Sequence, residues 1–386
     1  MRRLLSVLVV TLLASRAGAE PDRQARAALG RAIFFDRALS EPAGTSCASC
    51  HDPARAFSGD NGSGAGVPAG SRRGQLARRS TPSLLYLKFV PPFRFVGEPE
   101  KHALDQEPYG GFFWDGRANT IAELTQQPLL NPREMNNRDL AQIARKLRRA
   151  RYAPAFLREF PEASRDDGQA VAALGIAVEE FLTSPQMAPF SSKYDDFAAG
   201  KATLSVAEAR GLALFRDRKR GNCVRCHTLS SHPPSVERSL FTDFGYEVVG
   251  APRNRHLPRG FRQPDDRGLC ERTDTNVPSN ETQWCASFRT PSLRNVALRP
   301  SFMHNGAFTS LRDVIVFYAT RATDPRRWYR QALYDDTPVP YRGLIDTVSV
   351  PYNRKPGDPP AFTDAEIDDL VAFLQTLTDR RLPERP

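Results

Sequence analysis

Cys47-Ala-Ser-Cys50-His51 and Cys223-Val-Arg-Cys226-His227 are the two stretches from which this chain is read. Two thiols three positions apart can form thioethers to the two vinyl groups of one haem, and the adjacent histidine then reaches the iron from the proximal side. A single such pentapeptide is also compatible with half a zinc site or a redox dithiol. Two of them, without the further Cys and His partners that zinc needs, point to two covalently attached haems, with His51 and His227 as iron ligands.

Working outward, the two motifs have similar surroundings. Gly30-Arg-Ala-Ile-Phe34 precedes the first and Gly211-Leu-Ala-Leu-Phe215 the second. Ala25, Ala28, Leu29, Ala32 and Ile33 share one helical face, and Ser205 with Glu208 has capping-box spacing. Each half closes with an amphipathic helix. Val171, Leu174, Val178, Phe181 and Leu182 form the apolar face of one; Ile367, Leu370, Val371, Leu374 and Leu377 form that of the other, after a Thr363/Glu366 capping box. The pattern predicts a duplicated unit of opening helix, haem motif, long irregular middle and closing helix. A linker from about Ser184 to Leu204 is broken by Pro185, Pro189 and Gly200. Strand signals are sparse, so the expected fold is mostly α with long loops.

Residues 1–19 read as a signal peptide. Arg2 and Arg3 precede the short apolar stretch Leu4–Ala14, and Ala17-Gly18-Ala19 is a small-residue cleavage site. The apolar stretch is too short to span a bilayer, and no later one is long enough. The mature chain is therefore expected outside the cytoplasm, in the periplasm, with no membrane span. Of six cysteines, Cys270 and Cys285 lie outside the haem motifs. A disulfide is the plain reading in an oxidising compartment, with two free thiols as the alternative. The formal charge is +10, part of it on the leader, and haem propionates would offset more. The remaining basic surface suits an acidic redox partner. The Lys and Arg residues are scattered and accompany no nucleic-acid motif.

At this point the chain resembles the bacterial di-haem cytochrome c peroxidases. The resemblance rests on the two haem motifs and on five further stretches: Leu29-Gly-Arg-Ala-Ile-Phe-Phe-Asp36, Phe113-Trp-Asp-Gly-Arg-Ala118, Pro128-Leu-Leu-Asn-Pro-Arg-Glu-Met135, Thr290-Pro-Ser-Leu-Arg-Asn-Val-Ala297 and Met303-His-Asn-Gly306. It covers nearly the whole mature chain. It implies two tandem class I cytochrome c-like domains, 20–190 around the peroxidatic haem and 191–386 around the electron-transfer haem. It implies hydrogen peroxide as substrate, a small soluble electron donor such as a cytochrome c or cupredoxin, and dimers in many members. Trp114 would relay electrons between the haems. Glu134 would be the distal acid–base group, since peroxide must lose a proton from one oxygen and gain one on the other. The family's calcium ion would take carbonyls from Arg289 and Pro291, but the expected Asn side chain is replaced by Ser80.

Further departures shape the expectation. Leu124 stands where a distal Gln is common. Tyr318 stands where the peroxidases have a Met ligand to the C-terminal haem. Tyr is the ligand in the methylamine-utilisation branch, which uses peroxide to cross-link tryptophans on a partner protein. Leu311, Val314, Ile315 and Tyr318 share a helix face after the cap Ser310, pointing the ring inward; Met303 is the competing ligand, read as packing. The Trp that precedes the second motif in that branch is Gly221 here. Many members close the N-terminal haem with a distal His, yet 52–101 contains no histidine. The corresponding loop Gly62–Arg79 offers no Met or Cys, and His102 is the nearest imidazole. That haem is therefore expected open in the oxidised enzyme. Peroxidase is the leading function; protein-modifying oxidase and non-catalytic di-haem electron carrier are the alternatives.

Overall fold

The computed structural model describes residues 22–97, 107–229, 238–261, 263–272, 282–330 and 332–384. Residues 1–19, where a leader is expected, and His102 lie outside them. The structure is mostly helical. Its only regular sheet among the described residues is two short antiparallel pairs, Arg94–Val96 with Glu107–Tyr109 and Tyr246–Glu247 with Phe288–Arg289. No helix among these residues is long and apolar enough to cross a membrane.

The duplication read from the sequence is present in three dimensions. In the first half a helix over 22–34 crosses the closing helix Asp167–Leu182. In the second, Val206–Arg216 crosses Asp364–Gln375. Both crossings are set by a glycine. A Cβ on Gly30 would overlap the Ala177 carbonyl, and one on Gly211 the Asp369 carbonyl. Backbone therefore meets backbone, and the following turn supplies Phe181 or Phe373 to the contact. Phe34, Phe57 and Phe181 form one aromatic cluster; Phe215, Phe241 and Phe373 form its counterpart. The buried apolar residues fall into two main cores. One runs from Leu29 to Ala188 and is joined by Leu240 and Phe244; the other runs from Tyr194 to Leu377.

A further repeat organises the irregular middles. The tetrapeptide Thr-Pro-Ser-Leu occurs at 81–84 and again at 290–293. Ser83 Oγ donates to the Ala56 carbonyl and Ser292 Oγ to the Leu240 carbonyl, each at 2.6 Å. Each copy then enters a 3-10 turn through a left-handed residue, Tyr86 before Leu87–Phe89 and Asn295 before Val296–Leu298. Later, bridges Phe112↔Ala118 and Phe302↔Phe308 lead into the ten-residue helices Ile121–Leu130 and Leu311–Thr320. Thr120 and Ser310 cap these by accepting from the Glu123 and Asp313 amides.

The halves meet through buried polar contacts. Within the second half Arg294 makes a bidentate pair with Asp195 at 2.6 and 2.7 Å, and its guanidinium carbon lies 5.4 Å from the centroid of the Tyr86 ring in the first. Asp379 accepts from Tyr86 Oη and Asn295 Nδ2, both at 2.7 Å. Buried charge of this kind is stable only when fully paired, which fixes the register between the halves. Cys270 and Cys285 form a disulfide with Cα atoms 4.9 Å apart.

Candidate functional site

Each Cys-x-x-Cys-His segment forms one wall of its own cavity. The first cavity is about 480 Å³ and is lined by Cys47, Cys50, His51, Trp114, Pro128 and Glu134, among others. The second is about 200 Å³ and is lined by Cys223, Cys226, His227, Met303, Tyr318 and again Trp114. One indole thus faces both.

Backbone geometry orients the two histidines identically. His51 Nδ1 lies 2.9 Å from the Phe57 carbonyl, and His227 Nδ1 lies 2.9 Å from the Phe241 carbonyl. A carbonyl only accepts, so Nδ1 carries the proton and Nε2 keeps the lone pair. Burial pulls both imidazoles down to about 4, so they are neutral near pH 7, the form that binds a metal. None of the four motif cysteines is in a disulfide. Each cavity thus presents two thiols and one neutral, oriented imidazole, the donor set that a covalent haem requires.

Trp114 sits in a turn. Its indole Nε1 donates to the Ser80 carbonyl at 2.9 Å, and its own carbonyl accepts from the Arg289 amide at 2.8 Å. Asp115, next in sequence, is buried between Arg79 and Arg117. Arg79 also pairs with Asp266 at 2.6 Å. This three-element clamp holds the tryptophan turn against the second half.

Glu134 is placed by a proline. Pro128 lies inside the Ile121–Leu130 helix, which stops at Leu130 and turns. The Met135 amide bonds back to the Pro128 carbonyl at 3.1 Å and the Glu134 amide to the Asn131 carbonyl at 3.0 Å. Asn131 Nδ2 donates to Glu134 Oε1 at 2.7 Å. Burial raises the Glu134 pKa, and Arg117 and the Asn131 bond only partly offset it. Leu124 lines the cavity at the expected place, but the wall is not apolar. Gln127, Asn131 and Arg117 line it too, and Arg117 Nε donates to Gln127 Oε1 at 2.7 Å. Gln127, three residues beyond Leu124, was the signal for this polar wall.

In the second cavity Tyr318 projects from the Leu311–Thr320 helix. Its ring stacks on Tyr352, centroids 6.1 Å apart, and the Arg321 guanidinium lies 3.7 Å from the opposite ring's centroid. Burial raises the Tyr318 pKa. Met303 lines the same cavity. Tyr352 and Arg321 have no sequence signature; a lone Tyr and a lone helix-end Arg are ordinary.

Several of the groups expected at calcium are engaged within the protein. Ser80 Oγ donates to the Met303 carbonyl at 2.6 Å, and the Ser80 carbonyl is taken by Trp114. The Pro291 carbonyl is engaged with His227. The neighbouring carboxylates Asp115 and Asp266 already hold Arg79. Among the described residues no group of three or more His, Cys, Asp or Glu gathers as a metal site.

Two thiol-and-imidazole cavities sharing one indole define a di-haem oxidoreductase. The comparisons give the family: the sequence profile described as di-haem cytochrome c peroxidase matches residues 24–203. The chain is 35% identical to the methylamine utilization protein MauG of Paracoccus denitrificans, over 99% of this chain and 96% of that protein. It is 27% identical to the cytochrome c551 peroxidase of Nitrosomonas europaea, over 95% and 85%. Among solved structures, the diheme peroxidase BthA of Burkholderia thailandensis is 50% identical with a TM-score of 0.84, covering 92% of this chain and 86% of that one. The chain belongs to the di-haem cytochrome c peroxidase family.

Proposed function

We propose that this chain is an exported, periplasmic peroxidase. It reduces hydrogen peroxide, with two protons and two electrons, to two waters, drawing the electrons from a small soluble donor such as a cytochrome c or cupredoxin. The reading places a cytochrome c-like unit in 20–190 and another in 191–386, after a leader of 1–19. The observation that carries it is one buried tryptophan shared by two thiol–imidazole cavities, the first of which holds Glu134, its carboxyl bonded to Asn131 and its pKa raised by burial.

Cys47, Cys50 and His51 would hold one haem, and Cys223, Cys226 and His227 the other, with Tyr318 as second ligand there. Haem, when bound, supplies the redox centre at which the O–O bond breaks. The chain supplies the rest. Glu134 takes a proton from one peroxide oxygen and returns it to the other, so that the leaving oxygen departs as water. Asn131 holds that carboxyl in place. Trp114 carries electrons from the second cavity to the first.

The duplication supports a first cavity open to peroxide. Aligned on their capped helices, the halves place Pro128 where Tyr318 stands. Both residues line their cavities, but proline has no atom to offer a metal. The loop through Gly62–Arg79 is also pinned. Asn254 Nδ2 donates to the Ala65 carbonyl at 2.7 Å, and Ala65, Val67 and Leu76 bury together against Leu257 and Phe261.

Oxidation of a partner protein is the second reading, favoured by the 35% identity to MauG. Packing argues against an exit through residue 221. A Cβ on Gly221 would overlap the Phe362 ring, so a larger side chain there would require that ring to move. Trp328 is buried and bonded to Thr320 Oγ1 at 3.0 Å. The test is steady-state peroxide consumption with reduced cytochrome c and cupredoxin donors. Donor oxidation matched two electrons to one peroxide supports the peroxidase. No donor-dependent turnover would reject it.

A further inference from the structure

Arg299 is a cation that the fold does not require. It follows the second Thr-Pro-Ser-Leu turn at the spacing at which Val90 follows the first, and a proline comes next in both copies. The 3-10 turns Val296–Leu298 and Leu87–Phe89 end immediately before these two residues. An aliphatic residue therefore serves the same backbone in the other half.

The guanidinium is nevertheless buried. Arg299 is 8% exposed, and its Nε and Nη2 have no hydrogen-bond partner. No described carboxylate pairs with it. Burial alone acts on it, drawing its pKa down to about 10, so it remains charged at neutral pH. Its side chain lines the second cavity, and its guanidinium carbon lies 5.7 Å from the centroid of the Trp114 indole. Two other buried arginines have their anions: Arg79 has Asp115 and Asp266, and Arg294 has Asp195. A buried, unpaired guanidinium is strongly destabilising. An anion entering the cavity would relieve it, and the group that the cavity is built to receive carries carboxylates.

We propose that Arg299 pairs with a propionate carboxylate of the haem in the second cavity, and that this pair neutralises the charge beside Trp114. The inference rests on the di-haem reading above. An unpaired cation this close to the indole opposes removal of an electron from it; a paired one opposes it far less. Arg299 is thus a positioning residue for the cofactor and an electrostatic one for the relay.

The experiment uses the holoprotein and its Arg299→Gln and Arg299→Lys variants. Haem content is read by intact mass, the potential of each haem by spectroelectrochemistry, and the propionate bending bands by resonance Raman. In Arg299→Gln, with two haems retained, the potential of the second haem shifts negative, because a cation that favoured the reduced iron is gone. Its propionate band also moves, while the first haem is unchanged. Lysine restores most of the potential but not the band, because it lacks the bidentate fork. If the glutamine variant does not fold, the lysine variant decides, since its band must still move. Two haems by mass with the potential and propionate bands at wild-type values would overturn the pairing alone. A wild-type mass short of two haems would overturn the di-haem reading, and the pairing with it.

Discussion

Replacing Glu134 by glutamine removes a proton carrier while leaving the pocket almost unaltered. Glutamine keeps the volume, and its carbonyl oxygen can still accept from Asn131 Nδ2, now 2.7 Å from Oε1. The change is therefore confined to the titrating group. Loss of one positioned acid–base group costs about 10²–10⁴-fold in rate, or about 2.7–5.4 kcal/mol in barrier at about 1.36 kcal/mol per decade. The upper part of that range is expected, because Glu134 is buried and no other carboxylate lines the first cavity except Asp115 and Glu271, which are tied to arginines. The assay is stopped-flow mixing of oxidised protein with peroxide, following the haem absorbance. The pH dependence gives a second check. Glu134 must start as the carboxylate to accept a proton, and its pKa is raised by burial. The wild-type rate should therefore fall as pH drops through a value above the ordinary glutamate pKa of about 4.3, and the glutamine variant should lose that limb. A variant rate within a few-fold of wild type, or an unchanged acid limb, would refute the assignment.

Tyr318→Phe should turn the second haem from low spin to high spin or bring in another ligand; a low-spin signal that survives Tyr318→Phe but vanishes in Met303→Leu would give the role to the methionine. Fully oxidised protein should show a high-spin ferric signal that peroxide consumes without a lag, whereas an all-low-spin resting spectrum with activity only after pre-reduction would reveal an internal ligand, and His102→Ala would then identify or exclude that imidazole. Gly211→Ala should lower the melting temperature. Its Cβ would meet the Asp369 carbonyl and lie 2.8 Å from Phe373 Cβ, an overpacking cost of about 1–3 kcal/mol, which outweighs the roughly 1 kcal/mol of helix propensity gained. An unchanged or raised melting temperature would show that the crossing has slack.

What the sequence made legible follows from how local each constraint is. The haem motifs are contiguous because one cofactor must reach two thiols and an imidazole at once. The cysteines left over pair because only two remain. The crossing helices show in apolar periodicity, and their glycines sit at matching places before Phe34 and Phe215. Trp114 and Glu134 were reachable only through family resemblance, since a Trp in a turn and a Glu near prolines are common in any chain. The Arg79–Asp115–Asp266 clamp was not legible at all. Its members are far apart in sequence, and nothing in a lone Arg or Asp names its partner.

The repeated Thr-Pro-Ser-Leu turn carries more information than the helices, because it fixes register. Periodicity says that two helices are alike but leaves their alignment free by a turn. The turn aligns 81–91 with 290–300, and the bridges and capped helices separately align 112–130 with 302–320, so the halves can be compared residue by residue within each stretch. Set side by side, the scaffold is conserved and the cavity walls are not. Pro128 faces Tyr318, Val90 faces Arg299, and Trp114 faces His304, which stacks on Phe288 at 3.6 Å and bonds to Asp336. Each difference acts in the same direction. On the proposed reading, proline leaves the first cavity open to a small oxidant and tyrosine closes the second. Arg299 stands in the wall of the second cavity where the first half has Val90, and the one indole both cavities share comes from the first half. A duplicated electron carrier would keep its two sites alike, because both irons would have the same task. Divergence confined to the walls, on a backbone held constant down to its glycines and serine bonds, is what division into a reactive site and a feeding site requires.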